Sequence, residues 1–128
     1  MISDCVLIEP FVCNQKDPIS KVAEKLKEFR QRHIYVTDDN QKPVGIISTT
    51  DILDKIIIAA KNAADFTAEQ VMNKGIISCD DEESVKKAYK QMVEKGVVSC
   101  CVTQKDKMIG MLTLKEAVKN ITDPEKIL

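Results

Sequence analysis

The residues best placed to do chemistry lie in Gly45-Ile46-Ile47-Ser48-Thr49-Thr50-Asp51. An apolar run ends there at a hydroxyl residue, a helix start follows, and a carboxylate stands three positions on. Ser48-x-x-Asp51 and the later Thr113-x-x-Glu116 both have helix-cap spacing, in which the hydroxyl and the acid satisfy the first backbone N–H groups. Capping does not exclude binding. A helix start presents N–H groups and the positive end of a dipole, which suit a phosphate. An aspartate in the same turn can accept hydrogen bonds from the two hydroxyls of a ribose.

Other chemistry is poorly supplied. The five cysteines are Cys5, Cys13, Cys79, Cys100 and Cys101, with no Cys-x-x-Cys, and His33 is the only histidine. An odd count argues against a disulfide framework, and the missing paired spacing argues against zinc. Cys100 and Cys101 would alternate on a strand and point to opposite faces, so they do not share a metal. Buried small hydrophobes in a reducing cytoplasm account for all five. Any Ser/His/Asp or Cys/His device would depend on His33, and no nucleophile elbow is present. The composition is not that of an enzyme, and neither a catalytic residue nor a metal ligand is assigned.

The elements that must position Ser48 and Asp51 occur twice. Ile19, Val22 and Leu26 fall on Val85, Ala88 and Met92, each set with the spacing of one buried helix face. Ile34-Tyr35-Val36-Thr37 falls on Cys100-Cys101-Val102-Thr103, and Val44-Gly45-Ile46-Ile47-Ser48 on Ile109-Gly110-Met111-Leu112-Thr113. Each unit therefore reads strand, helix, strand, turn, strand, helix. The closing helices are expected from about Asp51 to Ala64 and from about Leu114 to Ile121. Asp17-Pro18 reads as a helix cap followed by proline, and Asp80 to Glu83 as an acidic helix start. Thr67 to Gln70 has capping-box spacing, which implies a short helix through Met72 ended by Gly75. The repeats divide the chain into 1–64, a connector at 65–75, and 76–128. Units this small need each other for a core.

Charge narrows the partners. Lys+Arg 19 against Asp+Glu 20 leaves a net charge of −1, which with few aromatics does not support nucleic acid. The run Ile56 to Ala60 falls far short of the ~20 apolar residues of a membrane span, and no signal peptide is visible. A cytoplasmic setting follows.

In this duplicated context, Val44 to Leu53, Ile34-Tyr35-Val36-Thr37-Asp38 and Gln70-Val71-Met72-Asn73 resemble a tandem of CBS (cystathionine β-synthase) domains, the Bateman module. The resemblance covers about residues 5 to 122. It implies an α+β fold of two βαββα repeats packed sheet to sheet with pseudo-two-fold symmetry, and two clefts between them. It also implies regulatory binding of adenosine-containing ligands (AMP, ADP, ATP or S-adenosylmethionine), homodimers, and a regulated protein partner.

Carried over residue by residue, the resemblance puts Ser48 on phosphate and Asp51 on the ribose hydroxyls. It draws the adenine side of that cleft from Ile76, Ile77, Ser78, Val98, Ser99 and Cys100. In the second cleft Thr113 keeps the hydroxyl, but Glu116 replaces the family's aspartate, and its longer side chain argues against a nucleoside there. The opposite wall would come from Pro10, Phe11, Val12, Arg32, His33 and Ile34, with Arg32 and His33 placed to meet phosphates. A structural dimerisation module with degenerate clefts stays open beside the sensor. In it, Ile56, Ile57, Ile58, Val118 and Ile121 would serve only a subunit interface.

Overall fold

The computed structural model describes residues 1–122. It has two three-stranded sheets, each inside its own compact unit. The units do not follow the sequence repeats. One is Phe11–Ile76, while Met1–Pro10 joins the segment that begins at Ile77.

In the unit Phe11–Ile76, β1 (Val12–Asn14) leads into α1 (Ile19–Phe29), β2 (His33–Thr37) and β3 (Pro43–Ser48). β1 runs parallel to β2 and β2 antiparallel to β3, with His33 opposite Ser48. Ile19, Val22 and Leu26 turn the apolar stripe of α1 onto Cys13, Ile34, Val36 and Ile47, and this forms the core. Helix α2 (Thr49–Ile52) continues as a π-helical turn, Leu53–Ile57, and α3 is Ala68–Val71.

The second sheet repeats the first down to single hydrogen bonds. It consists of β4 (Ser78–Asp80), β5 (Ser99–Gln104) and β6 (Lys107–Thr113), flanked by α4 (Val85–Lys95) and α5 (Leu114–Thr122). Val12 opposite Tyr35 becomes Ser78 opposite Cys101, and His33 opposite Ser48 becomes Ser99 opposite Thr113. Thr37 Oγ1 donates to Cys13 O at 3.4 Å, as Thr103 Oγ1 does to Cys79 O at 3.5 Å.

Each sheet also receives one bridge from a segment outside its three strands. Asn73 pairs with Ile46, and Ile8 pairs with Met111. Ile2, fully buried, packs with Cys79, Met92, Cys100 and Leu112. The first residues therefore do for the second repeat what the connector does for the first.

Several local expectations change. Asp17 does not cap α1, whose N-cap is Pro18. Its carboxylate instead accepts from Asn14 N–H at 3.0 Å and pairs with Lys21 and Lys25, because Ile19 N–H already bonds Phe66 O. The acidic run lies in the turn before α4, where Ser84 Oγ caps the helix by accepting from Lys87 N–H. The helix expected to reach Ala64 stops at Ile57, beyond which Ile58 is exposed and Ala60 takes φ 56. The left-handed Ala60 closes the helix, its N–H donating to Ile57 O at 3.1 Å and that of Lys61 to Ile56 O at 2.9 Å, before Ala63 and Phe66 return to the core. α3 ends at Val71 rather than at Gly75, because Met72 turns extended and delivers Asn73 to Ile46. Among the described residues no helix is long and apolar enough to cross a membrane.

Both long helices close with a left-handed residue, Gly96 at φ 65 and Arg30 at φ 54. A left-handed side-chain-bearing residue costs about 1 kcal/mol, partly offset by the greater freedom of an unfolded glycine. Arg30→Gly is expected to raise stability by about 0.5 kcal/mol, a melting midpoint about 2 °C higher by calorimetry. An unchanged or lower midpoint would remove this account of the cap.

Candidate functional site

Alternation along β3 buries Pro43, Gly45 and Ile47 and leaves Ser48 half-exposed at the strand end. Its extended backbone (φ −106, ψ 162) then makes it the N-cap of α2. Ser48 Oγ accepts from Asp51 N–H at 3.1 Å, and Asp51 Oδ2 accepts from Ser48 N–H at 2.8 Å and Ser48 Oγ at 2.9 Å. The capping box is therefore complete.

Two further residues reach the carboxylate. Asn73 Nδ2 lies 3.2 Å from Oδ1 and 3.1 Å from Oδ2, and Lys55 Nζ stands 3.9 Å from Oδ1 while donating to Val71 O at 2.8 Å. Partial burial disfavours the charge of Asp51, but the Ser48 donors, Asn73 and Lys55 outweigh it and hold the carboxyl below 3.8. Because its folded value is depressed, its contribution to stability is present above that pH and fades as pH falls through the lowered value. Asp51 is thus charged at neutral pH.

The remaining expected residues divide between the units. Arg32 and His33 lie beside Ser48 within the same unit, since His33 pairs with Ser48 and Thr49 N–H donates to Arg32 O at 2.9 Å. Both are exposed. Val12 pairs with Tyr35, and the Phe11 ring packs 5.0 Å from that of Phe29. Ile34 points into the core, so only its backbone is available to a ligand. Ile76 is half-buried at the end of this unit.

In the other unit, Thr113 Oγ1 accepts from Glu116 N–H at 3.1 Å. Glu116 Oε2 accepts from Val6 N–H at 3.0 Å and from Asn120 Nδ2, which ties this carboxylate to the first residues of the chain. Ser99 pairs with Thr113, and Val98 O accepts from Leu114 N–H. Ser78 and Val98 are exposed, and Ile77 packs against the core. Cys100 is fully buried, and the neighbouring Cys79 together with burial pushes its thiol up, so it offers no reactive sulfur. Burial likewise pushes Cys13 up to about 12.

Asn73 and Lys55 were not singled out from the sequence as site residues. The repeat offers no signal for Asn73, because the equivalent bridge in the other unit is made by the apolar Ile8.

The family model for the CBS domain matches residues 2–58 and 68–123. The chain belongs to the CBS-domain family. Its two CBS repeats have relatives that are mostly longer. An uncharacterized protein of Methanopyrus kandleri is 26% identical over 100 residues, which are 77% of this chain and 51% of that protein. A homoserine O-acetyltransferase of Methanosphaera stadtmanae is 31% identical over 96 residues, 74% of this chain but 19% of the enzyme. The chain thus spans about half or less of these curated relatives. Among solved structures, the CBS domain protein PAE2072 from Pyrobaculum aerophilum, complexed with AMP, superimposes with a TM-score of 0.72. The two are 20% identical, and the match covers 98% of this CBS pair and 94% of that chain.

Proposed function

We propose that this CBS pair is a regulatory module that binds an adenosine-containing ligand (AMP, ADP, ATP or S-adenosylmethionine) at the Ser48–Asp51 helix start. Binding there would act on a dimer arrangement or a protein partner. The observation that carries this reading is the ionised Asp51 carboxylate, fixed beside the Ser48 hydroxyl at the end of β3. A carboxylate so placed accepts both hydroxyls of a ribose, while the Ser48 hydroxyl suits phosphate. The AMP complex of the structural relative supports the ligand class. The second carboxylate is less suited, because Glu116 is already engaged by Val6 N–H.

Asp51→Ala is expected to weaken AMP or ATP binding about 10- to 100-fold, the scale of hydrogen bonds to a charged group. Glu116→Ala should change it less than about threefold. Calorimetry with AMP, ATP and S-adenosylmethionine reads both, and equal losses would sink the asymmetry. A ligand that binds only the folded chain must also raise the melting midpoint.

A purely structural dimerisation module is the second reading, favoured by the exposed Leu53 and Ile57 on the π-helical turn and Ile58 just beyond it. Ile56 does not belong to such a surface, being buried in the core. No change in midpoint with any of the three ligands would favour this reading.

A further inference from the structure

We infer that Asn73 sets the affinity of the Ser48–Asp51 site by competing with the ligand's ribose for the Asp51 carboxylate. The inference rests on the adenosine reading and adds a residue to it. Asp51 Oδ2 accepts from Ser48 N–H, Ser48 Oγ and Asn73 Nδ2, three donors on an oxygen that offers about two lone-pair positions. Oδ1 accepts from the same Asn73 amide, with Lys55 standing further off. A ribose diol needs two acceptor positions on this group. The Ser48 N–H cannot release its position without opening the helix cap, whereas the Ser48 hydroxyl can turn away and still accept from Asp51 N–H. The amide of Asn73 can also withdraw, because Asn73 is exposed and water can take its place as partner.

The main chain keeps that amide in range. Asn73 N–H donates to Ile46 O and Ile46 N–H donates to Asn73 O, each at 2.9 Å, and Lys55 Nζ holds Val71 O at 2.8 Å. The side chain is therefore delivered to Asp51 by a backbone bridge that does not depend on the side chain itself. The other repeat builds the same bridge with Ile8, which carries no amide, so the competition belongs to the first repeat alone.

Calorimetry with AMP on the full chain tests this. Asn73→Ala should bind AMP about two- to tenfold more tightly than the unsubstituted chain, the scale of one net hydrogen bond. In an Asp51→Ala background, the same substitution should change affinity by less than twofold. Without ligand, Asn73→Ala should also raise the midpoint at which the Asp51 carboxyl titrates, read by carbon NMR. This readout tests the amide contact apart from any nucleotide. Equal or weaker AMP binding by Asn73→Ala, or an unmoved Asp51 midpoint, overturns the inference while the adenosine reading stands. Failure of both chains to bind AMP, ATP and S-adenosylmethionine overturns the adenosine reading and this inference with it.

Discussion

Gly45→Ala is expected to destabilise the first repeat by about 2–3 kcal/mol, the upper range for forcing atoms into a filled space. A Cβ at this position would stand 2.5 Å from Met72 Sδ, 2.8 Å from Met72 Cγ and 2.9 Å from Asn73 O. The thioether end can swing aside. The carbonyl cannot, because the Asn73 main chain is locked to Ile46 by two hydrogen bonds of 2.9 Å. Gly110→Ala meets the equivalent wall more loosely, with Leu7 Cβ at 3.0 Å and Ile8 O at 3.1 Å, and should cost about 1 kcal/mol. Nothing lies within 4 Å of a Cβ on Gly75, so Gly75→Ala should stay within about 0.5 kcal/mol of neutral. Urea unfolding of the three variants checks the order. Equal costs at Gly45 and Gly75 would mean that close approach of the connector does not explain the glycine.

The second large effect falls on a residue that chain position alone would assign to a frayed end. Ile2→Ala should remove about 2–5 kcal/mol, as for other buried isoleucines truncated in a filled core. The loss should appear in the second repeat, since Ile2 packs against Cys79, Met92, Cys100 and Leu112. Its N–H donates to Glu83 O at 2.9 Å, and the next N–H, of Ser3, donates to Asp81 O at 2.8 Å. Hydrogen exchange locates the damage: amides of β5 and β6 should lose protection while those of β2 and β3 keep theirs. Faster exchange confined to β2 and β3 would contradict the assignment of residues 1–10 to the second unit.

These two variants mark where reading the sequence stops. The helix faces at Ile19, Val22, Leu26 and at Val85, Ala88, Met92 were legible because burying one side of a helix imposes a 3.6-residue period. Ser48-x-x-Asp51 was legible because a cap is a contact between neighbours in sequence. Asp17 misled for the same local reason. Its spacing suits a cap, but the α1 start finds Phe66 O, a partner from far along the chain.

What the sequence determined by itself is thus the duplicated βαββα order, the strands and helices of each repeat, and a carboxylate beside a hydroxyl at two helix starts. These are short-range matters, written in periodicity and in spacings of three or four residues. The tertiary structure alone decided that residues 1–10 complete the second unit, that the connector completes the first, and that Asn73 reaches Asp51. A single bridge such as Asn73 to Ile46 or Ile8 to Met111 pairs one residue from each segment, too few to impose a period on either. Such contacts depend on which backbone a glycine lets approach, and that is settled only when the distant segments meet.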